Sequence, residues 1–169
     1  DRFDPSELPE GKLTRLLVEV GHDSLSRPME IPVLAVRGTK PGPVFGLTAA
    51  LHGNELNGIP VIQRLLTTLD PRALRGTVVA AVVVNIPGYL THERRFLGAW
   101  DLNHEFPGRE GGDSASVYAR RLLDRIIGRV DLLVDLHTAS FGRVNSLYVR
   151  ADMTDPKAAA MAYLQRPQI

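Results

Sequence analysis

The feature that most constrains this chain is the stretch 44–51, Val-Phe-Gly-Leu-Thr-Ala-Ala-Leu, which is almost wholly apolar. A strand of that composition is covered on both faces, so its sheet needs helices above and below. The residues that follow agree. Leu56, Ile59, Ile62, Leu65, Leu66 and Leu69 recur at helical spacing. Asn54 is placed to cap that helix, with Glu55 in its first turn, and Asp70-Pro71 ends it. Residues 77–85 are rich in valine and read as a central strand. Asp113 or Ser114 then caps a helix whose stripe is Val117, Leu122, Leu123, Ile126 and Ile127, with Gly128 as its stop. Residues 130–136 form a third apolar strand and residues 144–149 read as another. Asp155-Pro156 opens a last helix that runs to Leu164.

The earlier residues are less regular. Residues 1–12 are polar with two prolines and read as a lead-in arm. Residues 13–20 alternate loosely and are β-prone, residues 31–36 are a second short apolar run, and Lys-Pro-Gly-Pro at 40–43 reads as a turn. Residues 86–110 are irregular, punctuated by Pro87-Gly88 and Pro107-Gly108. A loop of that length inside a compact domain is usually functional or a covering flap. The order strand, helix, strand, long loop, helix, strand predicts an α/β fold for residues 13–169. Its central sheet is expected to be mixed, mostly parallel and flanked by helices.

Composition narrows the function. The 169 residues carry 20 basic and 19 acidic side chains, a net charge of +1. That balance gives no electrostatic reason to expect nucleic acid or an anionic membrane. No apolar run approaches the ~20 residues that span a bilayer. The opening Asp1-Arg2-Phe3-Asp4-Pro5 does not resemble a signal peptide, and a cytoplasmic location is expected. Homo-oligomerisation is left open. The chain has no cysteine, so any metal must be held by histidine and carboxylate.

In such sheets, sites gather beyond the carboxyl ends of the strands. His52 follows the strand 44–51, Asn85 ends the strand 77–85, and His137 follows the strand 130–136. All three belong on one rim. His52 and Glu55 form a His-x-x-Glu pair that can point at one centre. With His137 they make a His₂Glu set, which suits a catalytic zinc with one position left for water. Such a metal lowers the pKa of bound water to about 7 and polarises a carbonyl. Alone, each residue has a plainer use. A carboxylate in a first helical turn is favourable on dipole grounds, and a histidine at a strand end is often a hydrogen-bonded core residue. Their meeting on one rim is what favours one zinc ion per chain. Asn103 offers an amide to a substrate carbonyl or carboxylate. Arg94 and Arg95 offer forked donors, although a solvated basic loop is the commoner fate of such a pair. Asp135 shares a strand face with His137 and can buttress it from behind. Phe96 and Trp100 read as loop packing, and His22 and His92 as turn and loop residues.

His52-Gly53-Asn54-Glu55, Asp101-Leu102-Asn103, Phe106-Pro107-Gly108 and Asp135-Leu136-His137-Thr138 resemble the succinylglutamate desuccinylase/aspartoacylase family, itself related to the zinc carboxypeptidases. The resemblance covers roughly residues 44–149. It implies deacylation of an N-acyl amino acid or similar small amine by attack of zinc-bound water. The alternatives are carboxypeptidase-type peptide hydrolysis or a non-catalytic zinc-binding relative. By resemblance, His52, Glu55 and His137 are the ligands, Asn103 binds substrate, and Arg95 holds a substrate carboxylate. Three departures stand out. The family arginine after the asparagine is His104 here, which reaches less far and cannot fork onto a carboxylate. The segment 96–100, Phe-Leu-Gly-Ala-Trp, lacks the acidic residue expected before Asp101. The family's general-base glutamate, on a later strand, has no counterpart after His137. The expectation is that this glutamate lies beyond Ile169, in a longer chain of which these residues are the N-terminal portion.

Overall fold

In the computed structural model, residues 3–168 are described; Asp1, Arg2 and Ile169 lie outside the described residues, so the arm is followed from Phe3. β1 (Leu13–His22) and β2 (Pro28–Arg37) pair antiparallel through a short turn, the only pairing so short a connection permits. β3 (Lys40–Ala49) lies parallel to β4 (Arg75–Ala81) on one side and to β5 (Leu132–Leu136) on the other. β2 joins β4 antiparallel, which gives the order β1-β2-β4-β3-β5. The sheet is therefore evenly mixed, with two antiparallel and two parallel pairings, rather than mostly parallel.

α1 (Gly58–Thr68) connects β3 to β4, and α3 (Ser114–Arg125) lies between β4 and β5. The two crossovers run in opposite directions along the sheet. Right-handed connections then put their helices on opposite faces. Ile62 and Leu66 of α1 pack with Leu47, Ala49, Val78 and Ala80. Tyr118 and Leu122 of α3 pack with Val33, Ala35, Val79 and Ala81. Successive β4 residues thus feed opposite cores, as the period of two demands. Burial of a side chain such as Ile62, fully enclosed, contributes about 1.5–3 kcal/mol. The Tyr118 hydroxyl donates to the Val84 carbonyl at 2.6 Å and ties α3 to the segment leaving β4.

Several local expectations change. Lys-Pro-Gly-Pro at 40–43 is the irregular start of β3, where Lys40 pairs with Arg75, and not a free turn. α1 begins at Gly58, so Glu55 precedes the helix and Asn54 does not cap it. The first residue of α1 is closely packed: a Cβ on Gly58 would meet the Ala49 Cβ at 2.8 Å. Asp113 caps α3, but the buried face is Ala115, Tyr118, Ala119 and Leu122, with Val117 and Leu123 only partly covered. The irregular segment holds α2 (Ile86–Thr91) and a 3-10 turn at Leu102–His104. Residues 144–149 form no strand. Apolar content needs a ladder partner to become a strand, and this backbone instead bonds to Gln168. Asp155 caps α4 (Pro156–Leu164) as expected. The arm is not loose: Phe3 and Leu8 join the core, and Arg37 bonds the carbonyls of Ser6 and Leu8. No described helix is long and apolar enough to cross a membrane.

Candidate metal centre

β3 runs out at Ala49, and Ala50 takes a left-handed conformation (φ 53°) that turns the chain sharply into His52-Gly53-Asn54-Glu55. Such a conformation costs a non-glycine residue of order 1 kcal/mol or more and persists only where the surroundings impose it. The next segment presses directly on this turn. A Cβ on Gly53 would lie 2.0 Å from the Gly88 carbonyl carbon, so only glycine permits the approach. Asn85, fully buried, fastens the same junction: its amide donates to the Leu51 carbonyl at 3.2 Å and accepts from the Gly88 amide at 2.9 Å. Asn85 is thus a strut whose polar atoms are spent on backbone. We expect Gly53→Ala to displace the segment 85–95. Overpacking of this kind costs about 1–3 kcal/mol or more, read as a fall in the denaturant midpoint; an unchanged midpoint would contradict the close approach.

On this scaffold His52, Glu55 and His137 come together, with one ligand-type atom from each lying within 4.8 Å of the others. His52 and Glu55 are buried and His137 is open to solvent. The His52 Nδ1 lies 2.9 Å from Glu55 Oε1, and the His137 Nδ1 lies 3.0 Å from Glu55 Oε2. The opposite ring atoms face outward onto carboxylates. His52 Nε2 is 3.1 Å from Asp101 Oδ1, and His137 Nε2 is 2.6 Å from Asp135 Oδ2. A second tier holds Glu55. The Ser140 hydroxyl donates to Oε1 at 2.6 Å, the Thr138 amide to Oε2 at 2.9 Å, and Arg94 to Oε1 at 2.9 Å. Arg94 also reaches Ser140 at 2.9 Å and Asp101 at 3.2 Å.

These partners fix the charges. Burial alone would raise the Glu55 pKa, but the adjacent His137 and His52 rings and hydrogen bonds from Ser140 and Thr138 outweigh it and hold the carboxyl far below the usual range. Burial likewise opposes ionisation of Asp101, and His52, the Asn103 amide and Arg94 overcome it. Asp135, and after it Glu55, raise the His137 imidazole to about 9 against the opposing effect of burial.

The donor set fits a divalent cation. Once the Nδ1 proton of His137 is displaced and each Nε2–H is given to its carboxylate, a tautomer inferred from partners, both Nδ1 lone pairs face Glu55. Three acceptors then converge with no donor between them. The buried His52 Nδ1 makes no hydrogen bond, since its approach to Glu55 is off-line. Two imidazoles and a carboxylate are typical zinc donors, and a carboxylate behind each imidazole is the usual supporting arrangement.

The sequence-derived residues separate here. His52, Glu55 and His137 converge, Asp135 backs His137, and the Asn103 amide lies 3.3 Å from His52 Nε2. His104 is exposed on the Leu102–His104 turn. Arg95 is exposed, with its guanidinium on the Ala99 carbonyl at 3.3 Å, and its neighbour Arg94 enters the cluster instead. Ser140, three residues past His137, gave no signal in the sequence. Asp101 stood inside a recognised motif, but its role behind His52 required the fold.

Comparison with known proteins places the chain among described relatives. Residues 41–169 match the family described as the succinylglutamate desuccinylase/aspartoacylase catalytic domain. An N-alpha-acetyl-L-2,4-diaminobutyric acid deacetylase of Halomonas elongata is 29% identical over 109 residues, 64% of this chain and 32% of that protein. A succinylglutamate desuccinylase of Yersinia enterocolitica is 31% identical over 126 residues, 68% of this chain and 38% of that protein. The crystal structure of an aspartoacylase family protein from Mesorhizobium loti superposes with a TM-score of 0.75 at 25% identity, covering 98% of this chain and 53% of that one. The chain thus spans about a third of the length of these curated relatives and about half of the solved one.

Proposed function

The chain belongs to the succinylglutamate desuccinylase/aspartoacylase family, and from that membership we propose a zinc-dependent amidohydrolase that removes the acyl group from an N-acyl amino acid or a similar small amine. One observation carries the reading: both imidazoles turn Nδ1 toward Glu55 while Asp101 and Asp135 occupy the outer nitrogens. His52, Glu55 and His137 would hold the ion, one per chain. Bound there, zinc would supply a Lewis acid for the amide carbonyl and an activated water.

The protein's own groups would do the positioning. Arg94 presents a fork beside the ligands with a third of its side chain exposed, which suits a substrate carboxylate. It replaces Arg95 in that role because Arg95 points onto the loop backbone. Asn103 would bond a substrate carbonyl from beside His52, and His104 would border the mouth on the same turn. Neither Glu93 nor Glu105 has a described hydrogen bond or ion pair with the cluster, and neither is assigned as the general base.

The test is amine release by the zinc-loaded full-length protein from N-acetyl and N-succinyl amino acids. Arg94→Ala should raise KM about 10–100-fold for carboxylate substrates, the cost of one charge-assisted pair. Arg94 also donates to Glu55, so zinc content is measured on the same variant; with zinc retained, KM should change little for the corresponding amino-acid amides. Release of the terminal residue from N-blocked dipeptides, with no deacylation, would move the reading to a carboxypeptidase. No release from either class would sink both.

A further inference from the structure

Thr48 is a buried polar side chain, 4% exposed, near the end of an apolar strand. Its hydroxyl donates to Asp135 Oδ1 at 2.6 Å, while the other oxygen of that carboxylate lies 2.6 Å from His137 Nε2. Thr48 and Asp135 are register partners on the adjacent parallel strands β3 and β5. A file of threonine, aspartate and histidine therefore leads from the sheet interior to the cluster. We propose that Thr48 is a positioning residue for the metal centre: it locks the Asp135 carboxylate in the orientation that keeps His137 Nδ1 turned toward Glu55. This rests on the zinc reading above.

Asp135 needs such a lock. β5 is an edge of the described sheet, and the Asp135 side chain is 29% exposed. It also lines a cavity of about 220 Å³ together with Leu122, Ile127 and Leu133. That space gives the carboxylate room to rotate away from His137. Among the described residues, only Thr48 and His137 hydrogen-bond the Asp135 side chain. β3 is the better anchor of the two strands, since it is paired on both sides. A threonine whose role was only to satisfy its own buried hydroxyl would affect folding and leave the metal untouched. A positioning threonine changes the orientation of the ligand two bonds away.

The experiment compares Thr48→Val and Thr48→Ser with wild type in the full-length protein. Zinc affinity is read by competition with a chromophoric chelator, and Asp135 is located by crystallography. Valine keeps the shape and removes the donor; serine keeps the donor. Removing a group that orients a metal ligand typically weakens binding 10–100-fold. Because Thr48 acts through Asp135, the lower end, about tenfold, is expected for T48V, with T48S close to wild type and Asp135 turned toward the cavity in T48V alone. Val79→Ala controls for lost packing on the same face of the sheet: it should lower stability and leave zinc affinity unchanged. If valine is not accommodated, Thr48→Ala removes the same donor without adding bulk. Wild-type affinity in T48V, or equal weakening in V79A, overturns the role of Thr48. Absence of zinc from wild type overturns the metal reading itself, and the proposal with it.

Discussion

His52→Ala and His137→Ala should each reduce bound zinc from about one equivalent per chain to near zero. Each removes one of the three proposed protein ligands, and the two that remain would not close a site around the ion. Structural zinc sites with four ligands bind with about 10–16 kcal/mol. One ligand therefore accounts for about 3–4 kcal/mol, a loss of roughly two to three orders of magnitude in affinity. The two variants should differ in their side effects. His52 is buried and holds Asp101 through Nε2, so H52A also removes one partner of Asp101 and leaves a cavity. His137 is open to solvent, so H137A should retain more of the stability. His104→Ala is the control, because His104 is exposed on a turn and has no described bond to the cluster. The measurement is metal content by mass spectrometry after dialysis, with circular dichroism to establish that each variant is folded. Undiminished zinc in both folded variants would remove the metal centre.

That the cluster of His52, Glu55 and His137 could be read from the sequence, while its surroundings could not, has a physical reason. A ligand at a strand end is announced by the strand before it. The apolar run at 44–51 fixes where His52 must emerge, and the strand at 132–136 does the same for His137. Topology then places both on one rim, because parallel strands in register end together: Ala49 lies opposite Leu136. The supporting residues lack such a signal. Arg94 and Arg95 are consecutive in an irregular segment. The contact of Gly53 with Gly88 and the Asn85 strut fix the neighbouring backbone, and the fold then turns Arg94 inward and Arg95 onto the loop. The antiparallel half of the sheet was underweighted for a related reason. β1 and β2 extend well beyond their apolar runs, and their outer residues alternate too weakly to be seen as strand. Residues 144–149 err in the other direction. Their β-propensity is real, but strand formation is a property of a pair.

Zinc affinity should rise about tenfold per pH unit up to pH 9 and then level off. The cause is competition between zinc and a proton for one lone pair. In the metal-free protein Asp135 and Glu55 raise the His137 pKa from 6.5 to about 9, overriding burial. Below pH 9 that imidazole is protonated, and its Nδ1 proton sits toward Glu55, where the ion must bind. Each zinc bound then displaces one proton. Glu55 does not add to this slope, because its carboxyl stays ionised throughout the range. A histidine without these carboxylates would give a curve that flattens near its ordinary pKa of about 6.5, and the interval between the two separates the readings. Stability without metal should move the opposite way. A pKa raised on folding adds stability that is fully present below pH 6.5 and is lost as pH climbs through 9. The metal-free melting temperature should therefore fall over this interval while zinc affinity rises. Asp135→Asn removes the largest cause of the raised pKa, so it should shift both curves toward lower pH. Competition titrations from pH 6 to 10, with melts of the metal-free chain at the same points, read both slopes. Curves in wild type that flatten near pH 6.5, or fail to shift in D135N, would show that Asp135 does not set the basicity of His137.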